Sequence, residues 1–350
     1  MAYTNIDDPS AHFQIKTGVG ASQPQSHTFD GNSDLQPDFL WWKRRDSSGN
    51  HTLHDSSRGA NKFLYANGTT AEGTDGNQIT SFNTDGWSTG SSWFDLGSQT
   101  WVAWAWKANA GTTSSNTDGT LTGGATVQAN TDAGFSIITY TGTSQTNPTV
   151  GHGLNQAPEL VIVKNRDLSR NWAVGSTAVG WTKYLKLDDT TAATTNSGWW
   201  GNQDPTSTTV GLGTASQTAG NTYDYVMYAF HSVQGYSKFG SYVGNGNTNG
   251  TFVYTGFKPA FVMIKAATTA GQNWLVQDSK RPAYNPTSGR LFANTSGAEN
   301  TDTELPDFLS NGFKVRSTSY GTNKSGETYI YMAFAENPFT TSTGIPTTAR

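Results

Sequence analysis

The segment Pro37-Asp38-Phe39-Leu40-Trp41-Trp42-Lys43 decides the fold of this chain, because its pattern occurs twice more in the sequence. The later copies are Pro158-Glu159-Leu160-Val161-Ile162-Val163-Lys164 and Pro259-Ala260-Phe261-Val262-Met263-Ile264-Lys265. Each copy starts with proline, continues with an apolar run and reaches lysine six positions after the proline. A strand tolerates proline at its first residue, and a short run that is apolar on both faces is typical of a central buried strand. The pattern therefore predicts three related units.

Two further landmarks accompany each copy. An aromatic run ends 63, 66 or 69 residues after the lysine, and the runs are Trp101–Trp106, Tyr225–Phe230 and Tyr329–Phe334. A turn glycine precedes each proline by 19, 16 or 15 residues, namely Gly18, Gly142 and Gly244. Weaker echoes are Trp172 and Trp274, eight and nine residues after their lysines, which we align with Leu53 in the first unit. We expect Trp104, Tyr228 and Met332 to occupy equivalent buried positions.

The composition favours an all-β fold. Aromatic residues make up 12% of the chain and charged residues only 14%, and Thr, Ser and Asn favour strands and turns over helix interiors. Turn signals separate short apolar runs, as in antiparallel sandwiches. We predict three tandem β-sandwich units, of jelly-roll or lectin-like type, with less than about 10% helix against the usual third. The alternative is one sheet-rich body that shares a core across the units.

The landmarks also give boundaries. We predict unit one over 1–107, a linker rich in Gly, Thr, Ser and Asn over 108–132, unit two over 133–232, unit three over 233–337 and a weakly ordered tail over 338–350. Unit three follows unit two without a linker, so these two units should pack rigidly.

Several classes of protein are disfavoured by the sequence. The net charge is −4 and the largest basic cluster is Lys43-Arg44-Arg45, so we expect no nucleic-acid partner. The chain has no cysteine, which excludes disulfides and thiolate metal sites. No stretch of about 18 apolar residues is present, so we expect no membrane span. The residues from Met1 to Pro9 do not have the pattern of a signal peptide.

Catalytic and metal motifs are weak. His51 and His54 lie near Asp55, but a metal site needs a third ligand on a fixed scaffold. Gly86-Trp87-Ser88-Thr89-Gly90 matches a nucleophile motif, yet no helix pattern follows it. Four Asn-Thr-Asp runs start at Asn83, Asn116, Asn130 and Asn300 and are interpreted as turns rather than Ca²⁺ loops. The acidic group Asp188, Asp189, Asp204 and Asp224 is the one place where paired carboxylates could meet. We expect no enzyme and no cofactor.

Two sets of residues invite a binding interpretation. Lys43, Lys164 and Lys265 either extend to solvent from the end of a buried strand or contact a ligand, and recurrence favours the structural interpretation. Loop tryptophans, namely Trp87, Trp93, Trp199 and Trp200, could stack on a sugar ring or fill an interface. Unit two departs most from the repeat, so we place a glycan or receptor contact at Trp199, Trp200, Asn202 and Asp204. The competing hypothesis buries both rings of the tryptophan pair against unit three.

Longer phrases carry a resemblance to a known family. The phrases are Val161-Ile162-Val163-Lys164-Asn165-Arg166, Phe230-His231-Ser232-Val233-Gln234-Gly235-Tyr236 and Val253-Tyr254-Thr255-Gly256-Phe257-Lys258-Pro259. Over about residues 1 to 337 the chain resembles repeat-containing virion proteins of tailed phages of marine bacteria. The resemblance implies a component of the particle surface and transfers no catalytic residues.

The resemblance leaves two roles open. The first is a tail fibre or appendage that binds a host receptor, and the second is a head-decorating or connector protein without a host ligand. A glycan-degrading enzyme is a distant third. The partners expected are other virion proteins, further copies of the chain in a homo-oligomer such as a trimer, and a host-surface glycan.

Overall fold

A computed structural model describes residues 4–91, 96–143, 145–282, 284–285, 287–301 and 306–346. Within these ranges the chain forms strands almost throughout, with one 3-10 turn at Pro9–Ala11 and one short α-helix at Ser197–Trp200. The prediction of an all-β fold with little helix is confirmed. None of the helices in the described ranges has the length and apolar character needed to cross a membrane.

The strands fall into three groups along the chain. The first group is β1 (Phe13–Val19), β2 (Gln25–His27), β3 (Phe39–Arg44), β4 (Thr52–Asp55), β5 (Lys62–Tyr65), β6 (Gly73–Thr74), β7 (Ile79–Phe82), β8 (Trp87–Thr89) and β9 (Thr100–Trp106). The second is β10 (Ser114–Asn116), β11 (Ala125–Asn130), β12 (Phe135–Thr141), β13 (Thr149–Gly151), β14 (Leu160–Asn165), β15 (Ala173–Ser176), β16 (Lys183–Lys186), β17 (Thr194–Thr195), β18 (Thr209–Gly211) and β19 (Asp224–Phe230), with helix α1 between β17 and β18. The third is β20 (Ser237–Val243), β21 (Phe252–Tyr254), β22 (Phe257–Ala266), β23 (Leu275–Asp278), β24 (Gly289–Phe292), β25 (Asn300–Thr301), β26 (Asp307–Leu309), β27 (Gly312–Lys314) and β28 (Thr328–Pro338).

Each group forms one large antiparallel sheet, and the three large sheets have the same strand order. The orders are β1-β9-β3-β4-β5-β6, then β12-β19-β14-β15-β16-β17 with β10 and β11 added at the β12 edge, then β20-β28-β22-β23-β24-β25. The strand that contains the Pro-to-Lys pattern pairs each time with the aromatic strand, and the lysines Lys43, Lys164 and Lys265 lie opposite Val102, Val226 and Ile330. The lysines therefore occupy equivalent positions.

A small sheet covers one face of each large sheet and closes a sandwich. The small sheets are β2-β8-β7, β13-β18 and β21-β27-β26. Between the layers of the first group lie Trp42, Trp87 and Trp101, and equivalent cores fill the second and third groups. Because side chains of a strand alternate between its faces, the neighbours Trp41 and Trp104 point to the other face of the large sheet.

The other faces of all three large sheets meet in one shared aromatic core. Phe39 of unit one stacks on Tyr228 of unit two with ring centroids 4.3 Å apart. Phe334 of unit three lies 5.1 Å from Phe13 and 6.1 Å from Phe230. The sandwich arrangement and the core shared across units therefore coexist. Trp104, Tyr228 and Met332 are only 0%, 1% and 3% exposed within this core, as predicted.

Two local expectations need correction. The segment 108–132 contains β10 and β11, which extend the sheet of unit two, and its backbone N–H groups at Ala108 and Gly111 donate to the buried carboxylate of Asp38. Pro37 and Pro158 stand two residues before their strands, whereas Pro259 lies inside β22 at a register shift. Proline lacks a backbone donor, so a bulge is one of the few places inside a sheet that accepts it.

The segment after Pro338 is tied to the start of the chain. The backbone N–H of Ser342 donates to the carboxylate of Asp7 at 2.6 Å, and the hydroxyl of Ser342 donates to the same carboxylate. Asp7 and Ser342 therefore lie on the same side of the body. Residues 347–350 of the predicted tail lie outside the described residues.

Candidate functional site

The three repeated lysines connect the units rather than extending to solvent. All three side chains are fully buried, so the expectation that they reach water is wrong. Each Nζ donates to a nearby carbonyl of its own unit, of Arg44, Asn165 or Gln272, at 2.6–2.8 Å. Each also donates across a unit boundary, and these acceptors are the carbonyls of Ser296, Thr69 and Thr190 at 3.4, 3.1 and 3.3 Å for Lys43, Lys164 and Lys265.

We call Lys43, Lys164 and Lys265 the latch lysines, and their hydrogen bonds across unit boundaries link the three units in a ring. Lys43 joins unit one to unit three, Lys164 joins unit two to unit one, and Lys265 joins unit three to unit two. A backbone hydrogen bond of 2.8 Å lies beside each latch, and the pairs are Glu72 to Arg166, Glu299 to Arg45 and Ala193 to Ala267. The three interfaces thus use hydrogen bonds at corresponding positions after the three lysine strands.

Burial disfavours the charged form of each latch lysine. It lowers the pKa of Lys43, Lys164 and Lys265 from 10.5 to about 8. Between about pH 8 and 10.5 the unfolded chain therefore keeps protons that the folded protein releases, so this contribution to stability rises with pH.

Replacement of Lys164 by Met should reveal how the pKa of this lysine makes stability depend on pH. The free energy of unfolding of the wild type, minus that of Lys164→Met, should increase as pH rises from about 8 to 10.5, by about 1.4 kcal/mol for each unit of pKa shift. Taking the difference cancels the titration of tyrosines, which both proteins share. Urea unfolding at a series of pH values measures it.

The matched control is Lys280→Met, since the side chain of Lys280 is 47% exposed. The free energy of unfolding of the wild type minus that of Lys280→Met, measured over the same pH range, is the baseline for an exposed lysine. A pH profile for Lys164→Met that does not differ from this baseline would show that the Lys164 ammonium is solvated, and would contradict the buried latch.

A buried charge network lies in the shared interface of units one and two. The Arg58 guanidinium donates to the carboxylate of Asp55 and, at 3.0 Å, to that of Glu72. Arg166 of unit two donates to Glu72 at 2.9 Å, and the Tyr228 hydroxyl donates to Asp55 at 2.7 Å. Burial opposes ionisation of Glu72, but Arg166 and Arg58 outweigh it and hold the pKa of this carboxyl below its ordinary value.

The interface of units three and one repeats this network residue by residue. Arg281 pairs with Asp278 and, at 2.8 Å, with Glu299, while Arg45 of unit one binds Glu299 at 2.8 Å. The indole Nε1 of Trp104 donates to Asp278 at 2.9 Å, as the Tyr228 hydroxyl does to Asp55. The Asp, Arg and Glu side chains of both networks therefore connect neighbouring units.

The interface of units two and three has no such network at the corresponding positions. Register and spacing place Ser176, Val179, Ala193, Ala267 and Met332 where the other interfaces carry Asp, Arg, Glu, Arg and an aromatic donor. Val179 and Ala193 pack instead against the shared core. None of these five positions carries a charge, so none of them leaves a buried charge without a partner, which would be costly.

The histidine pair does not form a metal site. His51, not Leu53, is the counterpart of Trp172 and Trp274, because each of the three directly precedes the strand that pairs with the lysine strand and follows it in the chain, namely β4, β15 or β23. The His51 Nδ1 accepts from the indole of Trp41 at 2.8 Å, and burial lowers the pKa of His51 well below its ordinary value. Across the described ranges, no group of three or more His, Cys, Asp or Glu residues could hold a metal.

The tryptophan pair in unit two cannot be a ligand contact. Trp199 and Trp200 are 4% and 0% exposed, because α1 turns both rings into the unit-two sandwich. Trp199 stacks on Tyr184 at 3.7 Å, and Trp200 lies edge-on to Trp181. The glycan site proposed at these residues is therefore wrong, and the rings fill the core of their own unit rather than packing against unit three. Asn202 and Asp204 remain exposed beside them.

The other sequence candidates are structural as well. The Asp188 carboxylate accepts from Asn171 and from the backbone of Trp172, whereas Asp189 binds Lys186 and Asp224 binds Thr141. These carboxylates therefore serve different local contacts. Trp87 is buried after the turn glycine Gly86, whose φ is +94°. Trp93 lies outside the described residues.

Sequence reasoning missed an aromatic cleft in unit three. It has a volume of about 440 Å³ and is lined by Ser232, Gln234, Ser237, Lys238, Tyr254, Thr255, Gly256, Phe339 and Thr340. Tyr254 and Phe339 are 61% and 38% exposed. The available signal was the alternation Phe252-Val253-Tyr254, in which only the middle residue is buried.

Comparison with known proteins identifies a family. A family described as Domain of unknown function (DUF7483) matches residues 8–338, which include all three units. No curated protein and no solved structure matches the chain.

Proposed function

The chain belongs to the DUF7483 family, and from that premise we propose that it is a non-enzymatic protein of a bacteriophage particle surface. The observation that carries the proposal is the ring of interfaces between the three units. The buried lysines and arginines, which could otherwise bind a ligand, form hydrogen bonds and ion pairs that hold the units together in one body. Such a body suits a building block that must keep its shape in a particle, and the resemblance to virion proteins of tailed phages points the same way.

Two roles within the particle remain as candidates. A tail fibre or receptor-binding appendage would contact a host-surface glycan through loops, because the strands are committed to cores. A head-decorating or connector protein would contact only other virion proteins. Burial of Trp199 and Trp200 removes the receptor contact first expected in unit two, so the appendage role depends on a different surface. A glycan-degrading enzyme gains no support from unit two, where Asp188, Asp189 and Asp224 are engaged in local hydrogen bonds and an ion pair.

Assembly with further protein is part of the proposal. Large apolar side chains are exposed mainly in unit three, among them Val243 and Phe252, and such groups are enriched at interfaces. We expect a homo-oligomer, such as a trimer, or a stable complex with another virion protein. Light scattering on the purified protein measures its oligomeric state. A monomer that washes from particles in mild salt would count against both the homo-oligomer and the stable complex.

Labelling of intact particles tests the location. Gold-labelled antibodies raised against the purified protein should decorate purified phage particles at a fixed site, on the tail for the appendage role or on the head for the decorating role. Antibody preabsorbed with the protein is the control. Absence of both label and protein from purified particles would overturn the proposal.

A further inference from the structure

The cleft in unit three has two aromatic walls that meet at one glycine. The Tyr254 ring lies over Gly256, since a Cβ built there would stand 3.6 Å from the phenol oxygen. The backbone N–H of Phe339 donates to the Gly256 carbonyl at 3.2 Å. Gly256 has a φ of +84°, a conformation that favours glycine. The turn therefore positions both walls by backbone contacts.

The fold does not require these aromatic rings. The first strand of each small sheet has a buried residue that pairs across the small sheet, and the pairs are His27 with Trp87, Val150 with Val210 and Val253 with Phe313. The residue after it is exposed Thr28 in unit one, Gly151 in unit two and Tyr254 in unit three. Only unit three places a large ring at this position.

The second wall is also an addition to the common unit. The strands β22 and β28 have 10 and 11 residues, whereas their counterparts β14 and β19 have six and seven. The extra length pairs Phe257 with Pro338 and so delivers Phe339 beside Gly256. Two separate departures from the repeat thus build the same cleft.

Polar groups surround the aromatic walls. Gln234 is exposed and Lys238 is half-buried, and the structure gives neither side chain a hydrogen bond or ion pair within the described ranges. Ser232 and Thr340 add hydroxyl groups to the lining. The volume of about 440 Å³ lies within the usual range for small-ligand pockets, roughly 300–1,000 Å³.

We propose that this cleft binds a saccharide. A sugar ring presents C–H groups on one face, which pack on an aromatic ring, and hydroxyl groups at its edge, which need hydrogen-bond partners. Tyr254 and Phe339 supply the apolar surface, Gln234 supplies an amide donor and acceptor, and Lys238 supplies a cation for a hydroxyl or a sugar carboxylate. This inference rests on the proposed particle role for its biological meaning and would give the appendage the host contact that unit two lacks.

Saturation-transfer NMR with the full-length protein tests the site. The probes are oligosaccharides of neutral hexoses, N-acetylhexosamines and hexuronic acid, each added separately. We expect transfer to the ring protons of at least one probe. Tyr254→Ala should weaken its binding at least about tenfold, which corresponds to about 1.4 kcal/mol, while Tyr254→Phe should retain most of it because the ring is kept.

Tyr284→Ala is the matched control. Tyr284 is 80% exposed in unit three but does not line the cleft, so its removal should leave binding unchanged. Absence of transfer to every probe, or equal transfer with wild type and Tyr254→Ala, would overturn the saccharide site. Either failure would leave the particle role intact, because antibody labelling tests that role independently.

Discussion

Replacement of Trp104 by alanine should lower the free energy of unfolding by about 3–5 kcal/mol, the usual cost of removing a large buried ring. Trp104 is 0% exposed and lies in the core that all three units share. Its indole donates to Asp278 of unit three, and the Arg281 guanidinium lies 5.6 Å from its ring centroid. The substitution thus removes apolar contacts, a hydrogen bond and a cation–π contact together. Urea unfolding followed by tryptophan fluorescence and by circular dichroism measures the change.

Tyr320→Ala provides the comparison, because Tyr320 is 60% exposed and should change stability by less than about 0.5 kcal/mol. Since Trp104 joins units one and three, its loss should shift the unfolding of both in one transition. A loss below about 1 kcal/mol for Trp104→Ala would place this side chain at a surface and contradict the shared core.

Features set by local pattern could be predicted from the sequence. The apolar runs before Lys43, Lys164 and Lys265 and the later aromatic runs are buried strands because strand formation depends on nearby β-branched and aromatic residues. Repetition made the prediction stronger, because three copies in the same order are hard to obtain by coincidence. The burial of Trp104 and its counterparts followed from the same alignment.

Features set by contacts between distant residues could not be predicted in the same way. A lysine at the end of an apolar strand gives no sign that Ser296, some 250 residues away, will accept its hydrogen bond. The tryptophan pair looked exposed because its neighbours are Gly, Ser and Asn, yet a single helical turn is enough to bury both rings. The segment 108–132 looked like a linker because its two strands are mostly polar. They gain their place by pairing, β11 with β12 and β10 with β11.

The charge networks between units are one long-range feature that is visible in the sequence. Asp55 and Arg58 in unit one have the same spacing as Asp278 and Arg281 in unit three, and an arginine follows two residues after Lys43 and Lys164. In unit two the aligned positions are Ser176 and Val179, and Ala267 stands where the other units have an arginine after the lysine. Asp167 and Arg170 have the same spacing in unit two but occupy different positions of the repeat. Co-occurrence of these charges in adjacent units could have indicated interfaces that are paired by salt bridges. It could not have shown that the pairs are buried.

Substitution of Arg58 alone should lower the free energy of unfolding by about 3–5 kcal/mol. Replacement of the whole charge network by uncharged residues should lower it much less. Arg58→Val leaves the buried carboxylate of Asp55 without its cation, the situation in which a broken buried ion pair is strongly destabilising. The interface of units two and three shows which residues can replace the network as a set. The combined variant is Asp55→Ser, Arg58→Val, Glu72→Ala, Arg166→Ala and Tyr228→Met.

The difference between the two variants is the informative quantity. Well-packed apolar residues often replace a buried ion network at little cost, and neighbouring substitutions are not additive, so the fivefold variant should unfold at higher urea concentration than Arg58→Val. Arg44→Ala is the surface control, because the Arg44–Asp46 pair is partly exposed and an exposed pair contributes about 0–1 kcal/mol. A fivefold variant less stable than Arg58→Val would mean that the charges stabilise this interface in their own right. The apolar interface of units two and three would then depend on packing that the interface of units one and two cannot adopt.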